Sequence, residues 1–145
     1  MLKCKSGEGS MFQLFSAFAF KHLLTVRLTE ELRDRTKRFA SRIVRLYVAL
    51  PRQRREAEVL GHQLLRSGTS VAAHIREASR ARSDAEFCSK LEGALQEADE
   101  SNLWLELLRD DCGIMIPDLQ GLIAEADELI AIFVTIIERT RRKNH

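Results

Sequence analysis

Apolar residues recur at steps of three and four from Leu32 to Ile137, and this period is interrupted at only three places, Pro51, Ser83 and the stretch from Gly113 to Pro117. Steps of three and four bring side chains to one side of a helix, so each segment between interruptions carries a stripe that must be covered. Four such segments joined by short links have to alternate in direction, because a short link cannot carry the chain back to the end it left. The expected fold is therefore all-α: an antiparallel up-down-up-down four-helix bundle over residues 29–142, preceded by an N-terminal extension of residues 1–28. A chain of 145 residues is the size of one domain with one core.

Local signals place the ends of the helices. Thr29 with Glu30 and Glu31 behind it reads as an N-cap with acidic residues in the first turn, and Leu32, Phe39, Ile43, Leu46 and Leu50 follow as the buried stripe of helix 1. Pro51 disfavours helix at Leu50 but suits the first turn of a new helix, so the chain should reverse there into a second helix over about 52–79. The second stripe reads Ala57, Leu60, Leu64, Gly68, Val71, Ile75 and Ala78. Gly61 and Gly68 lie seven apart on nearly one side, at a cost of about 1 kcal/mol each relative to Ala, which implies that another helix approaches closely there. Ser83-Asp84-Ala85-Glu86 has the form of a capping box, so helix 3 starts at Asp84, and Phe87, Leu91, Ala94, Ala98, Leu105 and Leu108 share its inner face. Gly113 supplies a left-handed stop, and Pro117-Asp118 opens a fourth helix with the widest stripe, from Leu119 to Ile137.

Charge is distributed unevenly. From Arg27 to Arg82 there are 14 basic and 6 acidic residues, and from Ser83 to Asp111 there are 2 basic and 9 acidic ones, under a formal net charge of only +2. One surface should attract anions or an acidic partner; the plainer account is solvated faces and ordinary ion pairs. Cys4, Cys88 and Cys112 form no Cys-x-x-Cys pair, which speaks against a disulfide framework or a thiolate zinc site and for a reducing compartment, taken as the cytoplasm. Met11 to Leu24 is apolar, but about 14 residues are too few to span a bilayer, and Glu8 and the lack of a small-x-small site argue against a secretory signal. The expectation is no membrane, and an extension that packs on the bundle or on a partner, or that lies upstream of the natural start.

Two constellations are candidate sites. A polar stripe on helix 2, Gln63, Ser67, Ser70, His74 and Glu77, runs beside the apolar one; on helix 3, Lys90, Glu97, Glu100 and Ser101 form a comparable strip ending beside Trp104. Half-buried polar groups are costly unless paired, so these residues belong either to a subunit interface or to a network inside the bundle. His74-x-x-Glu77 and Glu97-x-x-Glu100 also have ligand spacing, but a di-metal bundle needs a second Glu-x-x-His, so no metal and no cofactor is expected. No phosphate loop, nucleophile elbow or Cys/His pair is present, and enzymatic activity is not expected. The second constellation is basic: Arg33, Arg35, Lys37, Arg38, Arg42, Arg45, Arg52, Arg54 and Arg55 on helix 1 and its turn. Clustered guanidinium groups suit phosphate, although Tyr47 and Trp104 are almost the only aromatics beyond the extension to stack on bases; a solvated basic face is the alternative.

The segment from Leu50-Pro51 to Leu108 contains Gln63-Leu64-Leu65-Arg66-Ser67-Gly68-Thr69-Ser70-Val71, His74-Ile75-Arg76-Glu77-Ala78, Arg80-Ala81-Arg82-Ser83 with Glu86-Phe87, and Glu97-Ala98-Asp99-Glu100 with Trp104-Leu105-Glu106-Leu107-Leu108. In order and spacing these resemble the bacterial four helix bundle protein family, which includes the S23-type proteins encoded by intervening sequences in large-subunit ribosomal RNA genes. The resemblance covers about 110 residues, from helix 1 to helix 4. It implies a bundle that assembles into a ring-shaped homopentamer, a link to ribosomal or other structured RNA, and no established activity. A relative, the accessory protein of diversity-generating retroelements, forms a basic pentameric barrel that binds a reverse transcriptase and its RNA, so a protein partner without RNA is the alternative. His74 departs from the family, which more usually has Asn there, and puts a titratable group in the polar stripe. The N-terminal 28 residues are not predicted by the family.

Overall fold

The interrupted helical period resolves into α1 (Glu8–Ala49), α2 (Arg55–Ala78), α3 (Asp84–Asp110) and α4 (Leu119–Arg142). The computed structural model describes residues 8–145, with side chains from Thr29 onward, and among them there is no strand. Each helix packs on the next, and α4 closes back on α1 along the sparsest of the four seams. These are the neighbour relations of an up-down-up-down bundle.

The core is built from the anticipated stripes. Phe39 and Ile43 of α1, Leu64 and Val71 of α2, Leu91 and Leu105 of α3, and Leu122, Leu129 and Phe133 of α4 are all buried. Gly61 and Gly68 have the packing role their spacing implied. A Cβ on Gly68 would stand 2.3 Å from Cδ1 of Ile43, and one on Gly61 would stand 2.5 Å from Cδ1 of Leu50. Side chains of α1 therefore lie directly on the backbone of α2.

The capping box forms with one change of partner. The Glu86 amide donates to Oγ of Ser83 at 3.1 Å, but the Glu86 carboxylate accepts from the Arg82 amide at 3.0 Å, one residue before the cap. Gly113 takes φ +64°, the left-handed stop after α3. Two boundaries differ from expectation. α1 runs through Thr29, which is not an N-cap, because Val26 to Glu31 contains neither Gly nor Pro and nothing there ends a helix. α2 begins at Arg55, because Pro51 to Arg54 makes a turn in which the Arg54 amide donates to the Pro51 carbonyl at 3.4 Å. How the side chains of residues 1–28 pack lies outside the described residues.

Candidate nucleic-acid interface

The basic residues of α1 and its turn divide into two sets. Seven-residue spacing places Arg35 and Arg42 on the side of α1 that faces α4, where Asp118 and Glu125 wait with the same spacing read in the opposite direction. Nε of Arg35 donates to Oε1 of Glu125 at 2.7 Å, its Nη2 to Oε2 at 3.1 Å, and it also pairs with Glu128. Arg42 grips Asp118 with both arms, Nη2 to Oδ1 at 2.7 Å and Nε to Oδ2 at 2.9 Å. Hydrogen bonding and charge hold both guanidinium groups more firmly protonated than usual, and the Arg42 bond holds the Asp118 carboxyl below its ordinary range. Arg54 is likewise engaged, bonding the Cys112 carbonyl and the Glu56 carboxylate, which clips the α1–α2 turn to the end of α3.

The other set remains available. Lys37, Arg38, Arg45, Arg52 and Arg55 are exposed and Arg33 is half-buried, and none of them makes an ion pair among the described residues. Arg45 adds only a longer-range field at Asp118. Of the nine basic residues singled out from the sequence, Arg35, Arg42 and Arg54 are thus tied to the protein itself. The matching intervals 35/42 and 118/125 were the signal for the first two; nothing local announced the Arg54 clip.

The polar stripes of α2 and α3 meet inside one chain. Ser67 and Ser101 are fully buried and share a hydrogen bond of 2.8 Å between their hydroxyls. Nζ of Lys90 lies 2.8 Å from Oε2 of Glu77, and the lysine bond draws that carboxyl below its ordinary range. Glu97 and Glu100 both face Arg66, whose Nη2 donates to Oε2 of Glu100 at 2.6 Å and whose Nη1 is 3.4 Å from Oε2 of Glu97. Arg66 was absent from the stripe as read from the sequence, although it precedes Ser67 and lies four residues before Ser70. Ser70 donates back to the Arg66 carbonyl at 2.7 Å, and Gln63 is exposed.

Two members stay unsatisfied. The His74 ring covers Gly93, with its Nδ1 3.8 Å from Glu77, beyond hydrogen-bonding reach; Nδ1 of His74 and Nε1 of Trp104 are buried without a partner. Ser67 therefore offers no surface to a second copy; the exposed members of this seam are Gln63, Glu77 and Glu100.

Among the described residues no three His, Cys, Asp or Glu side chains gather closely enough to hold a metal ion. Cys88 and Cys112 are buried and free, and burial pushes the Cys88 thiol up. No described helix is long and apolar enough to cross a membrane.

Residues 30–135 match the family described as 23S rRNA-intervening sequence protein. Among solved structures, the chain is similar to a protein of unknown function from the S23 ribosomal protein family of Bacteroides thetaiotaomicron. The two are 39% identical over 76% of this chain and 97% of that one, with a TM-score of 0.68. No curated protein matches the chain.

Proposed function

The chain belongs to the 23S rRNA-intervening sequence protein family, and on that premise we propose that it is a non-enzymatic, self-assembling bundle that binds structured RNA, ribosomal RNA above all, through the outer basic face of α1 and the α1–α2 turn. One observation carries the reading. After α4 has claimed Arg35 and Arg42 and the turn has claimed Arg54, the exposed Lys37, Arg38, Arg45, Arg52 and Arg55 still stand without acceptors. Unpaired guanidinium groups are the natural receivers of phosphate oxygens, and they recognise a backbone without reading sequence. The cytoplasm is the compartment this reading requires.

Assembly as a homopentameric ring is the second half of the reading. It is supported by Val59 and Leu103, which are 54% and 47% exposed. A second copy would cover such groups. Docking of a protein partner without RNA is favoured by one feature: Val44 and Val48, 41% and 67% exposed, sit among the arginines of α1.

Filter binding of ribosomal RNA fragments tests the first reading. The wild-type chain is expected to bind at about 50 mM salt and to weaken steeply by about 200 mM, and the combined variant Arg38→Gln, Arg45→Gln, Arg52→Gln, Arg55→Gln to lose at least tenfold in affinity. No retention at the lower salt sinks it. A partner captured equally well after nuclease treatment, and lost on Val48→Asp, favours the protein-docking alternative.

A further inference from the structure

A second group of unpaired cations lies at the other end of the bundle, where α2 ends, α3 begins and α4 ends. A hollow of about 320 Å³ opens there, lined by Thr29 of α1, by Ser79, Arg82 and Ser83 of the α2–α3 turn, by Phe87 of α3, and by Thr140 and Lys143 at the end of α4. Arg139 stands one turn before Lys143 on the same side of α4, and Arg80 lies in the turn itself. Arg80, Arg139 and Lys143 make no ion pair among the described residues. Arg82 reaches only to 3.8 Å from Glu86, with its side chain 92% exposed, and Glu86 is already bonded to the Arg82 amide. Pairs of that length and exposure contribute almost nothing.

Opposing charge comes from Asp84, which borders the hollow, from the exposed Glu30 and Glu31 that follow Thr29 on α1, and from Glu138, 3.8 Å from the exposed Arg142. Ser83 uses its oxygen as acceptor for the Glu86 amide, so its hydroxyl proton is free to donate into the hollow. Arg82 and Lys143, from two separate elements, thus line one concave, hydroxyl-bearing surface with the exposed Arg80 and Arg139 close by in the chain, an arrangement suited to a phosphodiester backbone.

We propose that this end of the bundle is a second contact for the phosphate backbone of a nucleic acid, formed by Arg80, Arg82, Arg139 and Lys143 around the hollow between the α2–α3 turn and the end of α4. The site shares no residue with the face of α1 described above. It lies a helix length from the α1–α2 turn, about 36 Å for the 24 residues of α2. A folded RNA a few helical turns long would touch both, whereas a short single strand would touch one.

The test compares two combined variants of the full chain against a hairpin RNA, reading affinity across a series of salt concentrations. Each phosphate contact contributes about 0.9 to the slope of log affinity against log salt. Arg80→Gln, Arg82→Gln, Arg139→Gln, Lys143→Gln should lower the slope by about two to four, with an unchanged melting temperature showing that the fold survives. The Arg38, Arg45, Arg52, Arg55 variant acts as the independent arm. If it binds like wild type while the first variant loses affinity, this inference stands and the α1 face is wrong. If the first variant keeps the wild-type slope and affinity, the inference is overturned. It is also overturned if polyglutamate displaces the RNA from wild type at equal charge concentration, since the surface would then receive an acidic protein.

Discussion

Arg42 and Asp118 show how single residues set the closure of this bundle. The two-armed bond spans the α1–α4 seam, where helix contact is sparsest, and Gly121 leaves room for it: a Cβ there would come within 3.0 Å of Nη2 of Arg42. The folded-state pKa of Asp118 lies below its ordinary value of 3.8, so the pair stabilises fully above that value. That contribution is lost as pH falls through the depressed pKa. Melting temperatures taken from about pH 6 down to about pH 3 should therefore fall more steeply for wild type than for Asp118→Asn; parallel curves would show that the pair adds nothing.

Gly68 is a sharper case. Ala would gain helix propensity, but its Cβ would stand 2.3 Å from Cδ1 of the fully buried Ile43 and crowd two more of its atoms, so Gly68→Ala should destabilise by about 1–3 kcal/mol in chemical denaturation. An unchanged midpoint would mean that α1 and α2 separate at little cost. Residue-level roles were legible where spacing carried them, as for the two glycines. They were not where a partner comes from a distant helix: Arg54 meets Cys112 across 58 positions, and no local pattern records that.

At the scale of elements, most boundaries follow from one or two side chains. Ser83 caps α3 through the Glu86 amide, so Ser83→Ala should cost about 0.5–2 kcal/mol, measurable as a lower melting temperature. The missing case is the start of α1. Thr29 with two glutamates is a good cap sequence, yet a cap signal starts a helix only where the preceding residues leave one, and α1 is continuous from Glu8. Apolar stripes were legible to the residue because burial imposes their period: every position expected on the inner face of α4 is buried or half-buried. The polar seam of α2 and α3 was legible as a stripe but not as a network, since pairing depends on register. Ser67 opposite Ser101 and Glu77 opposite Lys90 fix that register as antiparallel.

For the whole molecule, the decisive quantity is charge left over after the bundle has used what it needs. The acidic excess of residues 83–111 is partly absorbed by Arg66, which pairs with Glu97 and Glu100, and by Arg141, which pairs with Glu92; three carboxylates of α4 and its N-cap absorb Arg35 and Arg42. What remains is a bundle with unpaired cations along α1 and at both ends. A net charge of +2 conceals this, because the sum counts acids and bases that neutralise different neighbours. Assembly would multiply that surface, presenting several copies of each basic patch to one RNA and raising avidity without any new contact.

Light scattering on the full chain, alone and mixed with a ribosomal RNA fragment at about 50 mM salt, tests assembly and RNA binding together. The account predicts a particle of five chains that gains the mass of the RNA and releases it at high salt. A particle of one chain, with the same mass whether or not RNA is present, would contradict it.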